Sequence, residues 1–218
     1  LEKKLNDLGI NCGFTAMQSN GGTTSFNGAK RQPITLVESG PAAGVNGAVL
    51  VGNLTNKKNI IYFDVGGTTT KCALIENGTP KVTTEYKLEW TRFNPGYPIR
   101  VPVTDLVEIG AGGGSIAWFD SGGSLKVGPQ SAGADPGPSS YNKGGIEPTI
   151  TDAKLITGVI NPKNFASGQF ELKKELAEKA INKIASVLGV DLITAASSIV
   201  RVAEANMINA LKLVSIQR

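Results

Sequence analysis

NIIYFDVGGTTTKCALIENG, residues 59–78, is the stretch that decides the fold of this chain. Residues 60–65 form a β-branched and aromatic run, which predicts a strand, and Asp64 stands near its end. Gly66-Gly67 predicts a tight turn, and residues 71–76 predict a second strand. Asn77-Gly78 then predicts a hairpin, because both residues of such a turn take positive φ.

An acid at a strand end beside a glycine turn is also a pattern that suits phosphate chemistry. Backbone N–H groups and the hydroxyls of Thr68, Thr69 and Thr70 can approach a polyphosphate where no Cβ interferes, while Asp64 can hold Mg²⁺ or a water. A P-loop is a different device, since it runs from a strand into a helix and carries Gly-Lys-Ser/Thr. An ordinary tight hairpin without a ligand is the alternative, and this stretch alone leaves both readings open.

Composition narrows the classes of function. The chain has 218 residues, enough for one large domain or two small ones. It contains no histidine, which excludes Ser-His-Asp and Cys-His relays and imidazole-ligated zinc within the chain. Any acid–base chemistry within this chain must therefore come from carboxylates, hydroxyls, lysine or backbone dipoles.

Charge and cysteine content bear on partners and location. The net charge is +4, but the basic residues are scattered, so we expect solvated faces and no nucleic-acid partner. Two cysteines without metal spacing fit a reducing cytosol. No apolar run is long enough to span a bilayer and no signal peptide is visible, so we predict a cytoplasmic protein without a membrane partner.

Two more glycine turns follow predicted strands before the central stretch. Residues 14–18 predict a strand that enters the turn 19–22, and residues 34–37 predict another strand. Residues 39–44, SGPAAG, then predict a small-residue helix that reaches about residue 51, with Ser39 as its N-cap. The start of that helix, at Ser39 and Gly40, is a candidate anion site, and a capped connector helix is the alternative.

The most glycine-dense turn is residues 110–115, GAGGGS. Residues 81–90 predict a strand before it, and residues 101–109 predict extended chain that carries the acids Asp105 and Glu108. Three consecutive glycines lose much chain entropy on folding, which favours a backbone lying against something flat or charged, such as a nucleotide. A bulge in a packed sheet is the alternative.

The remainder predicts a hairpin, a stiff loop and helices. Residues 116–119 and 125–127 predict two strands, and the Pro- and Gly-rich loop 128–145 is long enough to favour a functional role. Thr149 or Thr151-Asp152 is expected to cap a short helix at 153–157. Two long helices close the chain, at 171–188 and after Asp191, and their apolar stripes predict core and inter-domain packing. The first stripe is Leu172, Leu176, Ala180, Ile184 and Leu188, and the second is Leu192, Ala196, Ile199, Ala203, Met207, Ala210 and Val214.

Several motifs resemble one family. The matching stretches are SNGG (19–22), SGPAAG (39–44), DVGGTTTK (64–71), IGAGGGSIAWFD (109–120), LKVGPQSAGADPGP (125–138) and EPTITDAKLITG (147–158). Together they are similar to the hydantoinase A / 5-oxoprolinase family, which includes ATP-dependent hydantoinases, 5-oxoprolinases and a subunit of acetone and acetophenone carboxylases. The resemblance runs over nearly the whole chain.

The resemblance implies a fold and a set of partners. It implies a mixed α/β, ribonuclease-H-like domain of the actin/hexokinase/Hsp70 superfamily, with antiparallel hairpins and with residues 160–218 as its C-terminal helical part. Residues 1–218 would then form one half of an ATPase clamp, whose other half is an N-terminal domain absent from this chain. A hydantoinase B-like subunit or domain is a further expected partner, and we expect this chain alone to fold but show little activity.

The resemblance also implies an activity. ATP would phosphorylate the amide oxygen of a cyclic amide such as a hydantoin, N-methylhydantoin or 5-oxoproline, and water would then open the ring. The alternatives are the ATPase subunit of an acetone- or acetophenone-type carboxylase, and a non-catalytic actin-like module that binds a nucleotide.

The candidate site residues are Asp64 and residues 66–70 and 112–115, which the resemblance implies by position, together with the residues singled out above from the sequence itself. The candidate catalytic acids are Asp64, Asp105 and Glu108, with Asp64 also the candidate Mg²⁺ ligand. The candidate ATP contacts are Gly66, Gly67, Thr68, Thr69, Thr70, Lys71, Gly112, Gly113, Gly114, Ser115, Ser39 and Gly40.

Three positions depart from the family pattern. Lys71 stands where members commonly have Asp, Val107 where a polar residue is common, and Ser140 where Cys is common. Lys71 would bring a positive charge towards the phosphates and remove a possible metal ligand.

Overall fold

The computed structural model describes residues 1–10, 12–88, 94–168 and 170–216. The chain divides into two compact units. The first combines Leu1–Asp64 with Cys72–Leu106, and the second combines Val65–Lys71 with Val107–Arg218.

The first unit holds three helices and short strands. Its helices are α1 (Glu2–Asp7), α2 (Phe26–Arg31) and α3 (Ser39–Leu54), with a 3₁₀ turn at Pro33–Leu36. Its strands are β1 (Thr15–Met17), β2 (Thr23–Ser25), β3 (Ile60–Val65), β4 (Thr70–Glu76), β5 (Thr79–Pro80), β6 (Val82–Thr83), β7 (Lys87–Leu88), β8 (Tyr97–Pro98) and β9 (Val103–Thr104). The last residue of β3 and the first two of β4 belong to the second unit.

The central hairpin forms as its sequence predicts. β3 and β4 are neighbours in one sheet, and β5 pairs antiparallel with β4. Asn77 and Gly78 connect β4 to β5 at φ values of 53° and 77°, which confirms the predicted turn. Ala73 and Ile75 of β4 are buried against Val45 of α3, and these three residues form a hydrophobic cluster in this unit.

Two predictions near the start of α3 are wrong. Residues 34–37 are not a strand, because Pro33 begins a 3₁₀ helix and the Thr35 hydroxyl donates to the carbonyl of Gln32 at 2.8 Å. Ser39 is not the N-cap of α3. That position belongs to Glu38 at φ 58°, and Ser39 is the first residue of the helix.

The long strands predicted on either side of residue 95 are broken into short pieces. The strand predicted at 81–90 appears as β6 and β7, and its residues 89–90 lie outside the described residues. β6 pairs antiparallel with β9, and β7 with β8. The extended segment 101–109 likewise divides, into β9 and the strand at Val107–Ile109.

The second unit packs a hairpin and three helices around one core. Its strands are β10 (Val107–Ile109), β11 (Ser115–Phe119) and β12 (Leu125–Ser131), and its helices are α4 (Ile150–Ile156), α5 (Lys174–Leu188) and α6 (Leu192–Ser215). Two 3₁₀ turns lie at Ser139–Tyr141 and Phe165–Gly168. β11 and β12 are antiparallel, and Ala153, Ile181 and Ile199 are fully buried between the helices.

The two long helices begin and end near the predicted signals. Gly189 ends α5 at φ 66°, and the Asp191 carboxylate caps α6 by accepting the Thr194 N–H at 3.0 Å. The predicted stripe of α6 is confirmed over its buried members Ala196, Ile199, Ala203, Met207, Ala210 and Val214. Leu188 of the α5 stripe is 37% exposed and is not a core residue.

These elements confirm the predicted fold class, which is mixed α/β with antiparallel hairpins and C-terminal helices. Among the described residues no single helix has the length and apolar composition to cross a bilayer. Helices α5 and α6 meet this criterion of length and composition only when they are taken together, and the pair is bent by 89° at the break between them.

Candidate functional site

The glycine turn after β3 is an exposed loop in the second unit. Gly66, Gly67 and Thr68 are exposed, Thr69 is half-buried and Thr70 is buried. The Gly66 N–H donates to the Thr69 carbonyl at 2.9 Å and closes the turn on itself. The backbone conformation is therefore fixed locally, while the outer surface of the turn stays open.

A second loop, residues 110–115 (the supporting loop), holds this turn in place through hydrogen bonds. The N–H groups of Gly113 and Gly114 donate to the carbonyls of Gly66 and Gly67 at 2.9 Å and 2.6 Å. The Thr70 hydroxyl donates to the Ala111 carbonyl at 2.5 Å. The structure thus brings together two sets of predicted site residues that are more than 40 positions apart in the sequence.

Two backbone donors of the turn take no part in those bonds. Within residues 1–10, 12–88, 94–168 and 170–216, no acceptor binds the backbone N–H of Gly67 or of Thr68. The carbonyl of Gly67 is already bonded to Gly114. The turn is suited to an anion, because an anion can accept hydrogen bonds from both of these adjacent N–H groups while the carbonyl is bonded to the supporting loop.

Close packing explains why the supporting loop is rich in glycine. A Cβ on Gly112 would lie 2.5 Å from the carbonyl carbon of Thr68 and 2.7 Å from that of Gly67. On Gly114 it would lie 3.0 Å from the Gly67 carbonyl oxygen. The flat neighbour of Gly112 is therefore the backbone of the other turn, whereas a Cβ on Gly113 would first meet Oγ1 of Thr151, at 2.8 Å. The predicted contact of these glycines with a nucleotide stays a prediction.

Ser115 completes the supporting loop from inside. Its side chain is fully buried, and its Oγ accepts the Gly112 N–H at 2.9 Å. Thr151, at the start of α4, binds the Gly113 carbonyl through its N–H at 2.8 Å and through its hydroxyl at 2.9 Å. Ser115 therefore orders the loop and does not face solvent.

The residues after the supporting loop are anchored by Asp152. This carboxylate is fully buried and accepts the N–H groups of Ser139, Ser140 and Thr149, at 3.2, 2.8 and 3.1 Å, together with the Thr149 hydroxyl at 2.8 Å. It forms a capping box with Thr149. The sequence predicted a helix cap at Thr149 and Asp152, and the Thr-x-x-Asp spacing is a signal of such a capping box. It did not predict the bonds between Asp152 and the backbone of Ser139 and Ser140.

Lys71 forms an ion pair with Glu108. Its Nζ lies 3.5 Å from Oε1 of Glu108, and their side chains are 17% and 41% exposed. Two residues predicted for separate roles are thus an ion pair at one edge of the turn. Because Glu108 is partly solvated, this pair stabilises the fold by no more than about 1 kcal/mol.

Asp64 lies in the first unit and accepts a hydrogen bond from Tyr62. The Tyr62 hydroxyl is 3.1 Å from Oδ2, while the Asp64 side chain remains exposed. Burial, this hydrogen bond and the charge of Asp64 raise the pKa of Tyr62 to about 12, so the phenol remains a donor at neutral pH. A Cβ on Gly44 of α3 would lie 2.2 Å from the Tyr62 hydroxyl oxygen, so a larger residue there would displace the phenol.

Ser39, Gly40 and Asp105 are the other predicted site residues of the first unit. Ser39 and Gly40 begin α3, and the Glu38 carboxylate before them accepts from the Tyr86 hydroxyl at 3.1 Å. The Asp105 N–H donates to the Lys81 carbonyl at 2.8 Å. Their predicted roles in binding and catalysis stay predictions.

The residues present fit the magnesium that the family resemblance implies. No group of three or more acidic, His or Cys side chains capable of holding a metal occurs within the described part of the chain. Mg²⁺ bound with nucleotides commonly needs only one or two protein carboxylates, because phosphate oxygens and waters supply the other ligands. The exposed Asp64 carboxylate meets that requirement.

Fold and site together define a mixed α/β domain with an exposed, rigidly supported glycine turn. The chain belongs to the hydantoinase/oxoprolinase family, whose model matches residues 1–218. It is 44% identical over 220 residues to an uncharacterized protein of Methanocaldococcus jannaschii, covering 98% of this chain and 32% of that protein. The chain thus spans about a third of that relative.

Two solved structures share the fold. The first is a nucleotide-free structure of acetone carboxylase, from work on the mechanism of ATP-dependent acetone carboxylation. It superposes with a TM-score of 0.83 at 29% identity, over 97% of this chain and 29% of that one. The ATP-dependent caprolactamase of Pseudomonas jessenii superposes with a TM-score of 0.78 at 34% identity, over 99% of this chain and 30% of that one. The predicted family is confirmed, and these similarities support the predicted actin-like fold.

Proposed function

We propose that this chain is the nucleotide-binding part of an ATP-dependent enzyme that hydrolyses a cyclic amide. The observation that carries the proposal is a pair of N–H groups, at Gly67 and Thr68, that have no acceptor among the described residues and belong to a turn supported by Gly113 and Gly114. The family membership and the likeness to an ATP-dependent caprolactamase support the same reading.

In this proposal the turn binds the phosphates. The N–H groups of Gly67 and Thr68 donate to phosphate oxygens, and the exposed hydroxyl of Thr68 adds a further donor. Such preorganised donors stabilise the charge that develops during phosphoryl transfer without having to reorganise. Thr70 and Ser115, both buried, act by keeping the turn in place.

Asp64 is the proposed ligand for Mg²⁺ or for a bridging water. Mg²⁺ would supply charge neutralisation for the transferred phosphoryl group. Tyr62 holds one carboxylate oxygen and leaves the other for the ligand. Asp105, Glu108, Ser39 and Gly40 remain proposed contributors, with Lys71 and Glu108 acting as an ion pair at the edge of the turn.

The chemistry proceeds through an activated amide. The amide oxygen attacks the terminal phosphorus of ATP, and the bond to ADP breaks. Water then adds to the activated carbon, the ring C–N bond breaks, and a second water releases inorganic phosphate. A cyclic amide, ATP and two waters thereby give the ring-opened amino acid, ADP and phosphate.

We further propose that the complete enzyme contains more than this chain. Caprolactamase and acetone carboxylase, which this chain resembles, are each about three times as long in the matching chain. A preceding actin-like domain and a hydantoinase B-like subunit are the proposed partners. Both would complete the nucleotide and substrate sites.

Phosphate release from ATP and Mg²⁺ tests the proposal. The polypeptide that contains this chain, with its partner subunit, should release phosphate when a hydantoin, 5-oxoproline or a larger lactam is added. Asp64→Asn should abolish that release while the circular dichroism spectrum is unchanged. Normal turnover by this variant would refute the role of Asp64, and absence of ATPase with every ring would leave only nucleotide binding.

A carboxylase subunit is the second candidate. The superposition on acetone carboxylase, at a TM-score of 0.83, favours it. The same phosphorylation would then act on a ketone enolate or on bicarbonate. Phosphate release that requires both a ketone and bicarbonate, and that no lactam elicits, would establish this alternative.

A further inference from the structure

A groove of about 650 Å³ lies in the second unit, outside the residues assigned above to phosphate and metal. It is bounded by the β11–β12 hairpin, α6 and the start of the supporting loop. The residues that matter here are Trp118, Asn206, Asn209, Gly110 and Ala111. Its volume falls within the range of small-molecule sites.

Trp118 gives the groove a fixed aromatic surface. Its Nε1–H donates to the Gly128 carbonyl at 2.8 Å, so the indole is held in one orientation. The residue is nevertheless 39% exposed, which is unusual for a large aromatic side chain whose polar atom is satisfied. A held and exposed indole is suited to stacking against a planar ring.

The charged groups of the groove neutralise each other. Nζ of Lys126 lies 3.3 Å from Oδ2 of Asp120, and Oδ1 of Asp120 accepts the N–H groups of Gly122 and Ser124 at 3.0 and 2.9 Å. The Ser124 N–H, followed by the contact with Lys126, lowers the pKa of Asp120, so its carboxylate stays ionised near neutral pH. No unbalanced charge therefore attracts an ionic ligand, and an uncharged one fits better.

Two carboxamides face the same groove from α6. Asn206 donates through Nδ2 to the Val127 carbonyl at 3.2 Å, which fixes its amide plane. Asn209 follows three positions later, on the same side of the helix, and has no hydrogen-bond partner in the part of the chain that the structure describes. Carboxamides offer a donor and an acceptor side by side, which is the complement of an amide or amidine edge.

The groove is connected through Ala111 to the glycine turn at residues 66–70 (the phosphate turn). Ala111 lines the groove, and its carbonyl accepts the Thr70 hydroxyl of the turn at 2.5 Å. Both features lie in the second unit, so they are parts of the same compact body.

We propose that this groove binds an uncharged planar ring that carries a neighbouring hydrogen-bond donor and acceptor. The ring stacks on Trp118, and its polar edge bonds the amides of Asn206 and Asn209. Two sources share this chemistry, the cyclic amide substrate and the purine of the nucleotide. The identity of either source rests on the proposed function, whereas binding of a ring does not.

Fluorescence of Trp118 tests the inference directly. Trp90 and Trp118 are the two tryptophans, so Trp90→Phe leaves Trp118 as the reporter. Adenosine and hydantoin, titrated separately, should give a saturable change in emission with one of them. Asn209→Ala should raise the Kd of that ring about five- to tenfold, since it removes one or two hydrogen bonds.

The control is Asn182→Ala, an exposed asparagine on α5 that does not line the groove. Adenosine binding would identify a base subsite and hydantoin binding a substrate subsite. No saturable change with either ring, or an equal Kd in Asn209→Ala and Asn182→Ala, would overturn the inference. Calorimetry with tripolyphosphate on the same protein tests the phosphate turn separately, so its failure with ring binding intact would count against the proposed function alone.

Discussion

The backbone of Gly112 lies directly against the backbone of Thr68. A Cβ on Gly112 would stand 2.5 Å from the carbonyl carbon and 2.6 Å from the nitrogen of Thr68, and neither atom belongs to a flexible side chain. Gly112→Ala must therefore displace the phosphate turn. We expect a loss of about 1–3 kcal/mol in the free energy of unfolding, measured by urea denaturation, together with loss of ATP binding.

Gly122→Ala is the matched control for that variant. The nearest atom to its Cβ would be Oδ1 of Asp120 at 3.4 Å, an ordinary contact distance, and the residue does not have a positive φ. Its unfolding midpoint should match that of the wild type. If Gly112→Ala were as stable as Gly122→Ala and bound ATP normally, the close packing of the two loops would be incorrect.

Ser140 offers a stabilising substitution. Its Oγ is buried without a hydrogen-bond partner among the residues described, whereas the neighbouring Ser139 Oγ donates to the Glu147 carbonyl at 3.1 Å. A buried unsatisfied hydroxyl destabilises a fold by about 1–3 kcal/mol, so Ser140→Cys should raise the free energy of unfolding by about 1 kcal/mol. Ser139→Ala should lower it by a similar amount. Destabilisation by Ser140→Cys would show that the hydroxyl has a partner.

Asp152 should be intolerant of amide substitution. All four groups that it accepts from are donors, so an Asn at this position turns an NH₂ group towards an N–H. We expect Asp152→Asn to lower the free energy of unfolding by about 2–4 kcal/mol, measured by thermal and urea unfolding. Asp191→Asn, at an exposed N-cap, is the control and should change stability by less than about 0.5 kcal/mol. Equal effects of the two substitutions would contradict the buried anchor.

The two cysteines should differ in reactivity. Cys12 is exposed and Cys72 is buried, and burial raises the pKa of the Cys72 thiol to about 11. At pH 8 only about one thousandth of the Cys72 thiol is ionised, and the thiolate is the reactive form. A chromogenic disulfide reagent should label one thiol rapidly and the second only after unfolding. Rapid labelling of both in the native protein would place Cys72 elsewhere.

Local signals in the sequence predicted local structure well. Asn77-Gly78 specified the β4–β5 hairpin because its positive φ values are a property of those two residues alone. Gly189 and Asp191 marked a helix end and a helix start for the same reason. The strand predicted at 34–37 failed because its apolar run was outweighed by Pro33 and by a threonine side-chain bond within the segment.

The arrangement of the site was less accessible to sequence reasoning. The glycines at 112–114 predicted a flat or charged neighbour such as a nucleotide, whereas the neighbour that Gly112 contacts within the chain is the backbone of a turn more than 40 residues earlier. The bond between Thr70 and Ala111 spans 41 residues, and no local pattern encodes such a pairing. The ion pair of Lys71 with Glu108 was missed likewise, since each residue was assigned a role by its own motif.

Gly67 permits the most direct test of the central claim, that the exposed turn binds phosphate. A Cβ at this position would have no atom of the protein within 4 Å, so Gly67→Ala should leave the free energy of unfolding within about 0.5 kcal/mol of the wild type. The same methyl group would stand beside the N–H groups proposed to hold the phosphates. Calorimetric titration with tripolyphosphate should show binding to the wild type and at least about tenfold weaker binding to Gly67→Ala, a loss of about 1.4 kcal/mol. Equal affinity in the two proteins, or no binding to the wild type, would contradict the account.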